Sequence, residues 1–238
     1  MSWTDKQIVN VMKYFRDKYK VKIFVETGTF KGLNVIEYAK HFEQVFSCEK
    51  NKKYFDIASN KIQDYWLKNG FRFGTPNIYN EDSVEFLKWF RQYLTDIKNK
   101  DTIIIYLDAH FYDKNRPSGK GKFVVLDELK ALKGFKNCII AIHDFDNNLG
   151  HITYDEIPLD MKLVKKDLLN VNPNFKFYTN TLTSCNPLTI AEVTDKDAKD
   201  NLIYAWSLPR LTYRGILYAL PTKLTKEEIN GLKLREWN

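Results

Sequence analysis

Apolar residues along the chain fall into two alternating kinds of block. Short, nearly continuous apolar runs occur at 21–26, 45–49, 102–108 and 138–142. Runs of that length, bounded by polar turns, read as buried strands. Between them, apolar residues recur every three or four positions. Val35, Ile36 and Ala39 do so within 33–41, and Phe86, Leu87, Phe90 and Leu94 within 83–97. The segments 54–66, 123–132 and 161–169 show the same spacing, the signature of helices with one face on a core. Asp82 or Ser83 is placed to cap the helix at 83–97. A weak third strand is predicted at 77–79, and two closing strands at 175–178 and 215–220. Ahead of residue 21, Ile8, Val11, Met12 and Phe15 mark a leading amphipathic helix that could cover a pocket or pack on a partner.

Strand–helix alternation predicts an α/β fold built on a mostly parallel sheet with helices on both faces. No internal repeat, low-complexity tract or linker divides the chain. Residues 1–238 are therefore expected to form a single domain. Its parts are the helix of 1–20, a core over 21–145, and a segment over 146–238 that carries the closing strands.

Composition changes this picture little. The 238 residues are 44% hydrophobic, 15% aromatic and 28% charged, which excludes a disordered or collagen-like chain. No apolar run is long enough to span a membrane. The opening Met1-Ser2-Trp3-Thr4-Asp5 lacks the layout of a signal peptide. Cys48, Cys138 and Cys185 form neither a disulfide framework nor a paired zinc motif. A reducing, cytoplasmic setting is expected. The net charge of +7 would suit an anionic partner. Lysine supplies almost all of the excess, however, with Arg only at 16, 72, 91, 116, 210, 214 and 235. That pattern favours compositional drift over a dedicated basic surface.

Chemistry in an open parallel sheet concentrates beyond the carboxyl ends of its strands. Each of the first five strands ends there in polar or acidic residues: Glu26-Thr27-Gly28-Thr29, Glu49, Asp82-Ser83, Asp108-Ala109-His110 and His143-Asp144. The turn Gly28-x-x-x-Gly32 lets the backbone approach a ligand closely at a helix N-terminus. It matches neither the dinucleotide fingerprint nor a Walker phosphate loop. Glu49, at the end of the second strand, is placed to accept ribose hydroxyls.

These residues together resemble the class I S-adenosylmethionine-dependent methyltransferases. The run 24–32 looks like that family's first motif, which implies cofactor contacts from Glu26, Thr27, Gly28, Thr29 and Gly32. By the same resemblance Glu49 matches the acidic ribose-binding position and Asp82-Ser83 the adenine-contacting segment. Asp108 matches the acidic residue beside the methyl donor. The similarity covers about 21–144 and implies a Rossmann-like class I methyltransferase sheet, mostly parallel and seven-stranded. Leu107-Asp108-Ala109-His110 and Ile142-His143-Asp144-Phe145 resemble the sugar and small-molecule O-methyltransferases of the macrocin and catechol kind. Some of these hold a divalent metal with acidic residues after strands four and five.

Here the second position of that pattern is filled by His143-Asp144 rather than by two acidic or amide residues. Asp108, His143 and Asp144 remain candidate ligands for magnesium or manganese. Alternatively His143 or His110 is a general base without metal, or His143 is structural. The catalytic candidates are thus Asp108, His143, Asp144 and His110. The loop 111–122, with four basic residues and two glycines, is a candidate lid over an anionic or polyhydroxylated acceptor. His41 and His151 read as surface residues. The expected activity is methylation of a hydroxyl on a sugar, glycan or small metabolite. A nucleic-acid methyltransferase and a non-catalytic binding module are the alternatives.

Overall fold

The structure, a computed structural model, describes residues 6–109, 123–149, 159–181 and 215–237. The chain opens with α1 (Lys6–Tyr19), β1 (Ile23–Thr27), α2 (Leu33–Ala39), β2 (Gln44–Cys48), α3 (Lys52–Asn69) and β3 (Asn77–Tyr79). It continues through α4 (Ser83–Asp96), β4 (Ile103–Leu107), α5 (Val125–Ala131), β5 (Cys138–Ile142) and α6 (Met161–Val171). It closes with β6 (Lys176–Asn180), β7 (Leu217–Leu220), α7 (Lys226–Gly231) and β8 (Leu234–Glu236).

One eight-stranded sheet runs through the molecule in the order β3-β2-β1-β4-β5-β7-β6-β8. The first five of these are parallel, and β7 lies antiparallel between β5 and β6. The sequence predicts seven strands, and β8 is the addition. It pairs antiparallel with β6 over Leu234–Glu236 and closes that edge. Only three residues long and carrying Arg235 and Glu236, it shows no apolar run to announce it.

Two cores sandwich the sheet because every residue of β1, β4 and β5 is buried. Val25, Ile105 and Ile140 face a layer that includes Phe86 and Phe90 of α4, Leu129 of α5 and Leu168 of α6. Phe24, Ile104 and Ile139 face the opposite layer with α1, α2 and α7. The leading helix α1 packs its apolar face into this second core. Its Phe15 is fully buried and meets Tyr218 edge-on at 5.6 Å. Glu228 of α7 in turn accepts from Tyr14 and pairs with Lys18 on α1. Among the described residues, no helix is long and apolar enough to cross a membrane.

Candidate active site

The chain builds β1, β2 and β3 outward, then returns to lay β4 on the other side of β1. Strand order therefore reverses between β1 and β4, and in open α/β sheets the ligand crevice lies beyond the carboxyl ends of the strands at such a reversal. Gly28 sits at that reversal. Its φ of +82° is left-handed, and a Cβ there would meet the Asp108 carbonyl oxygen at 2.7 Å. Only glycine allows β1 and β4 to end this close together. The amides of Gly28 and Thr29 both donate to the Cys48 carbonyl at 2.9 Å, tying the turn to β2. Gly32, at φ +78°, starts α2 against Ala58 of α3.

Beneath the turn lies a buried polar cluster. The Ser47 hydroxyl donates to Glu26 Oε2 at 2.9 Å and shares a hydrogen bond with the Thr29 hydroxyl at 2.6 Å. Burial, aided by the nearby Asp108 charge, pushes the Glu26 carboxyl up to about 8. The Ser47 hydroxyl and the Asn34 amide pull the other way. Thr27 is buried as well, and its hydroxyl accepts from the Asp108 amide at 3.2 Å. Sequence reasoning picked out Glu26, Thr27 and Thr29 but missed Ser47 and Asn34. A lone serine inside an apolar strand is a weak sign of either a core or a site residue.

Glu49 reaches across to the turn. Its carboxylate accepts the Phe30 amide at 2.9 Å and the Asn51 amide at 2.8 Å. Phe30 itself is left-handed at φ +48°. Glu49 thus holds the turn in shape while staying at the mouth of the crevice. Asp82 caps α4, accepting from the Val84 amide at 3.0 Å, and pairs with Lys50 at 3.0 Å. Ser83 is buried at the head of the same helix. Asp82 therefore has a structural task beside any role in binding.

On the other side of the crevice stand Asp108, His143 and Asp144. His143 Nδ1 lies 2.9 Å from Asp108 Oδ1 and 3.3 Å from Asp144 Oδ2. The Nδ1–H bond is not aligned with either oxygen, so these contacts are ionic rather than well-formed hydrogen bonds. One donor atom from each residue lies within 4.8 Å of the others. Burial alone would hold the imidazole neutral, but the two carboxylates override it and raise His143 to about 9. A proton or a metal ion at this point satisfies the same two negative charges. Asp144 adopts φ +55°, which turns its carboxylate back toward His143 and Asp108.

The backbone after Asp144 is pinned from behind. Asn147 donates to the Asn180 carbonyl at 3.0 Å, and Asn180 Oδ1 accepts the Ile216 amide at 2.9 Å. Phe145 donates to the Gly215 carbonyl at 2.9 Å. These asparagines carry no motif and escaped the sequence reading. His110, His151 and the candidate lid at 111–122 lie outside the described residues.

No protein-family model matches the chain, and no curated protein matches it in sequence. Solved structures do share its fold. The methyltransferase domain of bacterial CtHen1-CN is 11% identical with a TM-score of 0.51, covering 90% of this chain and 98% of that one. A putative O-methyltransferase from Klebsiella pneumoniae is 9% identical with a TM-score of 0.52, covering 93% and 82%. The O-methyltransferase from Bacillus cereus, in complex with SAH (S-adenosylhomocysteine), is 13% identical with a TM-score of 0.52, covering 92% and 82%. The fold is the Rossmann-like one of the class I S-adenosylmethionine-dependent methyltransferases, here with an eighth strand.

Proposed function

We propose that this chain is an S-adenosylmethionine-dependent methyltransferase acting on a hydroxyl oxygen of a sugar or other small acceptor. One observation carries the reading. The close glycine turn at Gly28 and the Asp108–His143–Asp144 cluster face each other across the strand-order reversal. The turn suits the donor because Gly28 lets the ends of β1 and β4 close up with no side chain between them, with Glu49 beside the turn to accept ribose hydroxyls. Asp82 and Ser83 stand where an adenine would extend. S-adenosylmethionine supplies an electrophilic methyl group, so the residues' main task is to orient the acceptor oxygen in line with it.

Asp108, His143 and Asp144 fit a divalent ion such as magnesium or manganese, since their donor atoms already converge and carry excess negative charge. Such an ion would lower the pKa of an acceptor hydroxyl. Without it, His143 has no free site to accept a proton at neutral pH, because the flanking carboxylates keep it protonated. Metal assistance therefore accounts better for the cluster than an unaided imidazole does. The nucleic-acid alternative gains little from the surface, where Lys22, Lys50, Lys52, Lys88 and Lys130 are paired with acidic neighbours. A reducing, cytoplasmic setting suits the free, buried thiols of Cys48 and Cys138.

Thermal melting with S-adenosylhomocysteine, with NAD as the control, tests the donor assignment. A ligand of the folded state stabilises it by about 2.7 kcal/mol at a hundredfold excess over Kd. The expected result is an upward shift with S-adenosylhomocysteine alone. No shift, or a shift only with NAD, removes the methyltransferase reading.

A further inference from the structure

The segment that follows Asp144 leads to a second concavity. Between α6 and the end of β8 lies a groove of about 760 Å³, a size ordinary for a small-molecule site. Its apolar surface comes from Met161, Leu169 and Trp237. Lys162, Lys165 and Lys166 line it as well, spaced so that they fall on one flank of the helix. These three side chains are exposed, and none is ion-paired among the described residues. Asp160 is the acidic residue on the wall, and its carboxylate already accepts the Leu163 amide at the N-cap of α6. Asn148 stands at one end of the groove and Asn170 at the other.

Two features set this groove apart from a solvated lysine face. First, an indole stands in it. Trp237 is held edge-on to Phe145, the residue after Asp144, at 5.5 Å, and the Arg235 guanidinium lies 5.5 Å from its ring. Second, Asn148 belongs to the same post-β5 segment as Asp144, and Asp146 fastens that segment to the head of α6 through Leu159 at 2.8 Å. The groove is thus joined to Asp144 through one short, fastened segment. An aromatic surface, flanking amides and uncompensated cations match a flat heterocycle linked to phosphate. The volume accommodates a single nucleotide.

We propose that the groove between α6 and Trp237 binds the nucleotide part of a phosphate-bearing acceptor, with the heterocycle on Trp237 and the phosphates on Lys165 and Lys166. The inference rests on the methyltransferase reading for the word acceptor, but binding itself does not. A pyrimidine nucleotide, UDP, is the probe, because it does not mimic the adenine of the donor. Calorimetry on the full chain is expected to show UDP binding that weakens at least about tenfold in the Lys165→Ala/Lys166→Ala double variant, a loss of about 1.4 kcal/mol. These two residues are exposed, so the variant should melt like the parent. Trp237→Phe should weaken UDP while leaving inorganic pyrophosphate, the weaker ligand, unchanged.

S-adenosylhomocysteine should neither compete with UDP nor lose affinity in these variants. The proposal fails if UDP does not bind, if the lysine variant binds it normally, if pyrophosphate binds as tightly as UDP, or if S-adenosylhomocysteine displaces it. UDP binding without any S-adenosylhomocysteine binding would instead keep the groove and discard the methyltransferase reading.

Discussion

Single residues at the crevice carry opposing demands of space and charge. Gly28 has no tolerance for a side chain, since its φ of +82° and the 2.7 Å approach to the Asp108 carbonyl both forbid one. Gly28→Ala is expected to cost about 1–3 kcal/mol in urea unfolding. It should also weaken S-adenosylhomocysteine binding, because β1 and β4 must separate. Glu26 makes a different prediction. Its carboxyl is raised from 4.5 to about 8 by burial first and Asp108 second. The folded state then keeps a proton that the unfolded chain releases near its ordinary value. Stability contributed by that proton is complete below about 4.5 and is lost as pH rises through about 8. Metal-free protein should therefore lose stability between those limits, and Glu26→Gln should flatten the decline. An equally steep profile in the variant would assign the effect to another group. Glu26 and Gly28 were legible in the sequence because they stand just after an apolar run. The depth of Glu26's burial was not, since it depends on β2 supplying Ser47 from the next strand.

At the scale of elements, apolar period decided most of the reading. β3 and β5 fall at 77–79 and 138–142 as the apolar runs predict, and the helices differ only by a turn or less at their ends. What the period could not reveal were α7 and β8. α7 buries no residue and is held by a capping box at Thr225 and Glu228. β8 puts only Leu234 into the core and is otherwise placed by its pairing with β6. The aromatic residues of α4 also divide in a way that spacing hides. Phe90 is in the core as expected, but Trp89 is 43% exposed and stacks on Tyr93 at 5.6 Å. Asp82 shows how an element's end can share residues with a site. Asp82→Ala removes the α4 N-cap and should cost about 1 kcal/mol in chemical denaturation, while Asp82→Asn should cost little because asparagine caps equally well. If both variants lose stability alike, the Lys50 pair rather than the cap is what holds that end of the helix.

Across the whole molecule, the proposed function has one sheet divide donor from acceptor work. The strands from β1 outward shape the glycine turn and Glu49, whereas β4 and β5 supply Asp108, His143 and Asp144. Apolar pattern alone placed these residues at strand ends, and only the family resemblance grouped them as ligands of one ion. Their meeting needs β4 and β5 side by side, with Leu107 opposite Ile142, and the left-handed turn at Asp144, neither of which a linear pattern contains. That turn also decides which substitution is informative. At φ +55°, alanine would be strained, whereas asparagine tolerates the conformation and keeps the shape. Asp144→Asn should therefore fold like the parent while removing one of the two charges facing His143. Losing a ligand or a charge at such a centre is expected to slow methyl transfer by about a hundredfold. S-adenosylhomocysteine affinity should be nearly unchanged, because Asp144 lies across the crevice from the turn. Radiolabelled transfer measured beside calorimetric binding separates the two. Parallel loss of transfer and of S-adenosylhomocysteine affinity would mean that the two halves of the crevice do not act independently, and that Asp144 helps to hold the donor turn through Asp108.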